Sequence, residues 1–377
     1  MVSFKRILLA GAALAALAST PALADVKIGV GAPMTGPNAA IGEQFRRGAE
    51  AAVKEINDAG GIKGEKVVVV YGDDASDPRQ GVAAANELVG QGVVAVIGHY
   101  NSSVSIPTST IYAEEGIVQI SPASTNPQLT EQGLKTVFRT CGRDDQQGLV
   151  AGTFIANKYK GKNVAILHDQ TTYGKGLADA TKETANKLGV TEKIYEGITV
   201  GERDYSAVIS KMKAANVDFV YFGGLHNEAG LIVRQMREQG LKAQFLSDDG
   251  VVTQEFWAIT GPAGEGALVT FGPDAQLNPQ AKAAVEKFKA DGYKPEGYTL
   301  YTYAAVQAWA EAAKKAGTTE GPKVAAALHD GTAYKSVIGD IVFDAKGDRT
   351  GSNYVFFQWR NGELVQLTDA EVAKLGN

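Results

Sequence analysis

The chain has 377 residues, of which 44% are hydrophobic and 21% are charged, and its formal net charge is −5. This composition is typical of a soluble globular protein with enough material for two or three domains. The negative balance argues against nucleic acid and against an anionic membrane surface as partners.

The first 24 residues have the features of a secretory signal peptide. Lys5 and Arg6 form a basic start, an apolar run covers residues 7–18, and the segment ends in the small-residue pattern Ala22-x-Ala24. The apolar run is shorter than the ~20 residues that span a bilayer. We therefore expect cleavage after Ala24 and export of the mature chain.

Cys141 is the only cysteine, so an exported chain of this sequence has no internal disulfide. No histidine accompanies it in a nucleophile motif. We therefore interpret Cys141 as a small buried hydrophobic residue.

Short apolar runs alternate with amphipathic segments through the first part of the mature chain. The predicted strands lie at 26–30, 66–71, 93–97 and 117–120, and the predicted helices lie at 41–56, 83–89 and from the loop at 99–103 to Glu115. Apolar strands that alternate with helices indicate a parallel sheet that is buried on both faces.

The same alternation restarts after a short extended segment at 136–140. Further strands are predicted at 164–168, 193–195, 218–222, 244–246 and 267–271, with helices at about 173–188, 205–215, 228–239, 279–290 and 301–316. Residues 338–343 and 353–359 are predicted to pair as a late hairpin. A second array of this size favours a second lobe that is built like the first.

The predicted fold class is therefore α/β, with two lobes that each contain a mostly parallel sheet flanked by helices. We place three interlobe crossings near residues 140–145, 270–273 and 345–350, which would make a hinge. The expected division assigns 25–143 and 272–346 to an N-lobe, and 144–271 and 347–377 to a C-lobe.

Two neighbouring predicted strands end in loops that are rich in hydroxyl groups and free of acidic and basic side chains other than His99. One loop is His99-Tyr100-Asn101-Ser102-Ser103, and the other runs from Ser121 to Pro127. Ligands of open parallel sheets bind at the carboxyl ends of the strands, and helix starts there suit a carboxylate. Helix capping alone explains either loop, but the two together favour a ligand site.

Motifs of the common catalytic and cofactor sites are absent. There is no Gly-x-Gly-x-x-Gly after a strand, no phosphate-binding Gly-x-x-x-x-Gly-Lys-Ser/Thr, no Gly-x-Ser-x-Gly and no His-Glu-x-x-His. The four histidines show no metal-ligand spacing, and the segment 73–77 lacks the pattern of a calcium loop. The sequence therefore favours a binding module without cofactor or metal over an enzyme.

Several short segments, in their order and spacing, resemble one family over nearly the whole mature chain. They are 33–37 (PMTGP), 57–64 (NDAGGIKG), 73–78 (DDASDP), 120–127 (ISPASTNP), 173–176 (YGKG), 218–224 (DFVYFGG) and 302–307 (TYAAVQ). In these segments the chain resembles the leucine/isoleucine/valine-binding proteins of bacterial ABC importers. The resemblance implies a type I periplasmic binding protein, with a ligand cleft between two lobes.

The resemblance also implies roles for individual residues. Ser102 would hold the ligand carboxylate, and Ala123 and Thr125 would hold the α-carboxylate and α-ammonium. Tyr173 would close over the ligand from the second lobe, and Asp249, at a position that is usually Glu, would pair with the ammonium. Tyr100 and Ser124 are further residues that this comparison places at the ligand.

The chain departs from the family pattern at several positions. The family often joins the loops at Ser76 and Asn101 by a disulfide, so hydrogen bonds are expected to fix these loops here. Ile41 and Leu225 stand where the family has aromatic side chains, and either a roomier or differently shaped pocket or ordinary core packing of these two residues would follow.

The resemblance implies a periplasmic, monomeric component of an ABC importer that binds a small hydrophobic amino acid and engages a membrane permease. A sensor or binding protein for amides or urea-like solutes on the same fold is the alternative. An exported hydrolase is a further alternative, which the absence of a nucleophile–base pair disfavours.

Overall fold

The computed structural model describes residues 25–376. The expected signal peptide at 1–24 lies outside the described residues. The strands are β1 Val26–Ala32, β2 Val67–Asp73, β3 Ala95–Gly98, β4 Val118–Ser121, β5 Val137–Arg139, β6 Val164–His168, β7 Ile194–Gly197, β8 Phe219–Gly223, β9 Gln244–Ser247, β10 Leu268–Phe271, β11 Val355–Arg360 and β12 Glu363–Gln366.

The helices surround these strands and follow them in the expected alternation. They are α1 Ala39–Asp58, α2 Pro78–Gly90, α3 Ser102–Glu114, α4 Gln128–Glu131, α5 Asp144–Lys158, α6 Thr172–Lys187, α7 Ser206–Ala214, α8 His226–Glu238, α9 Gln254–Thr260, α10 Lys282–Ala290, α11 Thr299–Ala316, α12 Gly321–Leu328 and α13 Asp369–Lys374. Between residues 25 and 376, no helix combines the length and the hydropathy that crossing a bilayer requires.

The first sheet contains five parallel strands in the order β2-β1-β3-β4-β5. β3 and β4 are buried along their whole length, as their apolar sequences predict. Because β3 and β4 are neighbours, their carboxyl ends bring the two hydroxyl-rich loops side by side.

The second sheet contains seven strands in the order β12-β11-β10-β9-β8-β6-β7. Strands β6 to β10 run parallel to one another, and β11 and β12 are antiparallel additions at one edge. The α/β class with two mostly parallel sheets is confirmed.

The chain connects the two sheets three times. It leaves the first sheet after β5, returns to it after β10, and leaves it again before β11. Helices α11 and α12, between β10 and β11, pack against α1, β3 and β4. The last connection falls at 350–354, since Asp348 still forms a bridge with Arg139 of β5.

The predicted hairpin of 338–343 with 353–359 is wrong. Residues 338–343 form only isolated bridges, which join Ile341 to Tyr334 and Phe343 to Arg349. Strand β11 instead pairs with β12 across Asn361-Gly362, where both residues have positive φ, of 51° and 83°. Asn-Gly is the strongest short-range hairpin signal, and the sequence prediction overlooked it.

Candidate ligand cleft between the two sheets

Loops from the two sheets enclose a cavity of ≈190 Å³. Its walls are Tyr100, Asn101 and Ala123 from the first sheet and Tyr173, Leu225 and Asp249 from the second. Five of these six residues are among the predicted ligand-site residues, and Asn101 is the addition. The structure therefore brings together groups that lie up to 149 positions apart in the sequence, at the place where two sets of strand ends meet.

The hydroxyls of the first-sheet loops have different tasks. Ser124 donates to the carbonyl oxygens of His99 and Tyr100, at 3.0 and 2.9 Å, and so ties the two loops together. Ser102 accepts the backbone N–H of Asn126 at 3.3 Å. Neither side chain lines the ≈190 Å³ cavity. Ser124 therefore acts by holding the two loops together. The Ser102 hydroxyl, which only accepts, still has its own proton to donate.

Thr125 is buried, and its hydroxyl makes no well-aligned hydrogen bond within residues 25–376, although it lies close enough to the carboxylate of Asp144 to lower the pKa of that acid. It lines a second, neighbouring cavity together with Asp249. A buried hydroxyl without a partner is costly, so Thr125 is available to a ligand group that lies beside Asp249.

Arg139 is a buried residue of β5 that the sequence prediction missed. Its guanidinium donates to the carbonyl oxygens of Ser124 and Asn126 at 2.7 and 3.0 Å, and it pairs with Asp348 at 2.6 Å. The carbonyls on both sides of Thr125 are thereby fixed. An arginine directly after the apolar pair Val137-Phe138 of a buried strand was the signal that could have identified it.

Two phenol groups hold the carboxylate of Asp249. The Tyr173 hydroxyl donates to Oδ1 at 2.8 Å, and the Tyr298 hydroxyl donates to Oδ2 at 2.5 Å. Tyr173 sits in the first turn of α6, whose cap Thr171 accepts the N–H of Gly174. Tyr298 precedes α11, a helix of the first-sheet side. The acid is thus oriented by one residue from each side of the cleft.

Burial raises the pKa of Asp249, and the two phenol hydrogen bonds oppose that change. Burial also raises the pKa of Asp248, and the charge of Asp249 adds to this effect. Asp248 accepts the backbone N–H groups of Gly224 and Gly250, each at 3.0 Å. A buried carboxylate beside a second one favours any bound group that brings a positive charge.

Asp144, the first residue of α5, adds a third buried acid. Burial and the charge of Asp249 raise its pKa well above the ordinary value, and a hydrogen bond from Thr125 opposes that change. The sequence prediction counted Asp144 only as a first-turn acid of a helix. Asp144 lines neither cavity and lies behind Thr125.

The cavity is compact rather than roomy. Tyr100 packs edge-on against Phe45 and Tyr298, with ring centroids 6.4 and 5.5 Å apart, and its own hydroxyl has no partner in the described part of the chain. Ile41 is 1% exposed, lies in the hydrophobic core and does not line the cavity. Leu225 does line it.

Further contacts join the two sides around the cavity. The side-chain amide of Asn126 donates to the carbonyl of Thr172 at 2.9 Å, and that of Asn227 donates to the carbonyl of Pro37 at 3.2 Å. His226 is fully buried beside these contacts. The structure therefore shows the cleft in a closed arrangement.

A family model described as Periplasmic binding protein matches residues 25–363, which is most of the chain. The chain belongs to the periplasmic binding protein family. It is 55% identical over 360 residues to Leu/Ile/Val-binding protein homolog 1 of Brucella suis, and the match covers 95% of this chain and 97% of that protein.

Solved structures of the same kind superpose on this one. The leucine-binding protein LivK of Thermotoga maritima matches with a TM-score of 0.85 and 30% identity, covering 91% of this chain and 98% of that one. LivJ of Streptococcus pneumoniae, solved in complex with isoleucine, matches with a TM-score of 0.83 and 27% identity, covering 91% and 100%. The two-lobed architecture is that of type I periplasmic binding proteins.

Proposed function

We propose that this chain is the periplasmic substrate-binding component of an ABC importer for branched-chain or other small hydrophobic amino acids. The observation that supports it most strongly is Asp249, a buried acid held by Tyr173 and Tyr298 at the wall of an otherwise largely apolar cavity. The names of the relatives point to the same class of ligand.

A free amino acid carries one positive and one negative group, and each would find a complementary group in this cleft. Its ammonium would neutralise Asp249, and its carboxylate would accept from the hydroxyls of Ser102 and Thr125. Hydrogen bonds to charged groups contribute roughly 1.5–3 kcal/mol each. Neutral amides and urea-like solutes would leave Asp249 without a cation, so this acid disfavours that alternative.

Binding would hold the two lobes in the closed arrangement, because the ligand contacts residues of both. The closed form would then engage a membrane permease after export of the chain and removal of residues 1–24. Catalysis has no place in this scheme, and a monomer suffices for it.

Isothermal titration calorimetry with free amino acids tests the proposal. We expect a tight site for leucine, isoleucine, valine or alanine, and no comparable heat with glutamate or lysine, whose charged side chains would be buried in the cavity. The melting temperature measured with each compound should rise by mass action only for the compounds that bind. No heat and no rise for every apolar amino acid would contradict the proposal.

A further inference from the structure

A second cavity lies among the connections between the two sheets and is larger than the first, at ≈890 Å³. Each of the three connections contributes to its walls: Cys141 and Gly142 from the first, Gly272 and Pro273 from the second, and residues 351–354 from the third. We call this space the hinge cavity. No residue of the hinge cavity other than Asp249 lines the ≈190 Å³ cavity.

Two hydrogen-bond donors of the hinge cavity have no acceptor among residues 25–376. The hydroxyl of Tyr354 is buried and unpartnered, on a side chain that is 8% exposed. The Nε of Arg349 is also buried and unpartnered. Arg349 donates from Nη2 to the carbonyl of Ile338 at 3.0 Å but has no carboxylate within 4.0 Å in this part of the chain. Buried polar groups rarely lack a hydrogen-bond partner, and both of these donors suit an anionic acceptor.

An acid faces the same space from the second connection. Asp274 lines the hinge cavity, and one of its oxygens accepts the backbone N–H of Gln276 at 2.9 Å. The phenol of Tyr301, which also lines the hinge cavity, is influenced by charged groups of both signs. Burial raises its pKa to about 12, the cation of Arg349 opposes this, and the charges of Asp274 and Asp249 add to it. The charges of one cation and two acids therefore act on the same hydroxyl.

The apolar part of the wall comes from aromatic residues packed against hinge glycines. A Cβ on Gly142 would lie 2.5 Å from a ring carbon of Tyr354, and a Cβ on Gly272 would lie 2.1 Å from the hydroxyl of Tyr301. Only glycine lets these rings approach the connections so closely. Any occupant of the hinge cavity would thus contact rings that rest directly on two of the three connections.

We propose that the hinge cavity is a second binding site for a small zwitterion, whose carboxylate accepts from Tyr354 and Arg349 and whose ammonium pairs with Asp274. The hinge cavity shares Thr125 and Asp249 with the cleft that the proposed function uses, whereas Tyr354, Arg349 and Asp274 line the hinge cavity and not the ≈190 Å³ cavity. Because Tyr354 lies on the third connection and Asp274 follows the second, a zwitterion held by both would bridge two connections, which couples its binding to the relative position of the lobes and hence to affinity in the cleft.

Calorimetry on the full mature chain tests this proposal with glycine and serine as probes. The cleft is first saturated with the tightest amino acid from the screen described above. We expect a weaker second event, which Tyr354→Phe weakens about three- to tenfold and Arg349→Gln about tenfold, as expected for loss of one neutral and one charged hydrogen bond. Arg360→Gln, an arginine outside the hinge cavity, is the matched control and should leave the event unchanged.

Tight binding of the amino acid in the cleft shows that each variant is folded, because Tyr354 and Arg349 are not among the residues that line the ≈190 Å³ cavity. Acetate and ethylamine, which each carry one of the two charges, should bind the second site more weakly than glycine. The proposal would be overturned if no second binding event is seen, or if its affinity is the same in all variants. Acetate that binds as tightly as glycine would also overturn it. Absence of the tight event alone would contradict the proposed function and leave the second event measurable on its own.

Discussion

The imidazole Nδ1 of His99 lies 2.7 Å from Oδ2 of Asp74, and both side chains are fully buried. The other ring nitrogen contacts the hydroxyl of Tyr112 at 3.0 Å. These residues join the loop after β2 to the loop after β3, the two loops that the family resemblance led us to compare for a disulfide. Hydrogen bonds therefore fix the loops here, as the absence of a second cysteine led us to expect. The loop they hold carries Tyr100 and Ser102.

Breaking this pair should cost stability. Asp74→Ala leaves His99 buried without its partner, so we expect the free energy of unfolding to fall by about 3–5 kcal/mol. Urea denaturation monitored by circular dichroism measures it. Asp58→Ala, which removes an exposed pair with Lys54, is the control and should change stability by less than about 1 kcal/mol. Equal effects of the two substitutions would show that the buried pair has no special role.

Asp249→Asn should weaken ligand binding and stabilise the ligand-free protein. An acid whose pKa is raised on folding binds its proton more tightly in the folded state, so stability falls as pH rises from the ordinary value of 3.8 through the raised pKa. Asparagine removes this dependence, and the melting temperature at neutral pH should rise. Loss of the ammonium partner should weaken affinity by about 2–5 kcal/mol.

The matched control for Asp249→Asn is Asp179→Asn, at an exposed acid that pairs with Lys175. It should leave affinity unchanged. Thermal unfolding without ligand and calorimetry with ligand give both quantities for each variant. Unchanged affinity in Asp249→Asn would remove this residue from the site.

The folded protein should lose stability in acid because of His226. Burial lowers its pKa from 6.5 to about 4, so the unfolded protein takes up a proton that the folded protein does not. The contribution of His226 to stability is complete above pH 6.5 and falls as pH drops towards 4, by up to about 3 kcal/mol. Thermal unfolding between pH 7.5 and 4.5 measures it.

His226→Phe should make that pH dependence shallower, since phenylalanine places a ring of similar size at this fully buried position and does not titrate. His329→Gln, at a histidine bonded to the carbonyls of Asp344 and Lys135, is the control and should keep the dependence. A slope that His226→Phe leaves intact would assign the acid sensitivity to other groups.

Gly142→Ala should disturb the first connection between the lobes. The added methyl would lie 2.5 Å from a ring carbon of Tyr354, and overpacking of this kind costs typically 1–3 kcal/mol. Gly142→Ala combined with Tyr354→Ala should recover part of the loss in urea denaturation. Gly90→Ala, at a helical glycine with open space around it, should not destabilise. A double variant no more stable than expected from additive effects would argue against the clash.

The sequence allowed prediction of the parts of the site that follow from strand–loop order. Tyr100, Ala123 and Asp249 come directly after buried strands, so the rule for strand ends and the family resemblance both pointed to them. Tyr298 and Asp144 were missed because each sits at a helix start whose pattern only predicts the helix. Their roles depend on how the lobes meet, and Tyr298 reaches Asp249 from 49 residues away.

The sequence also allowed prediction of the central part of the fold but not of its edges. Apolar runs located both parallel arrays, but the edge strands depend on local turn chemistry. The Asn361-Gly362 turn, not the apolar content of 338–343, decides which segments pair. Ile41 shows the limit of analogy, because its buried place in the core follows from packing of α1 against the first sheet rather than from contact with a ligand.

Capture of both charges of a free amino acid between the lobes is the central claim, and calorimetry with charge-deleted analogues tests it most directly. Leucine should bind tightly, while 4-methylpentanoate, which lacks the ammonium, and 3-methylbutylamine, which lacks the carboxylate, should each bind weaker by about 2 kcal/mol or more. If 4-methylpentanoate or the amine binds as tightly as leucine, the claim is contradicted.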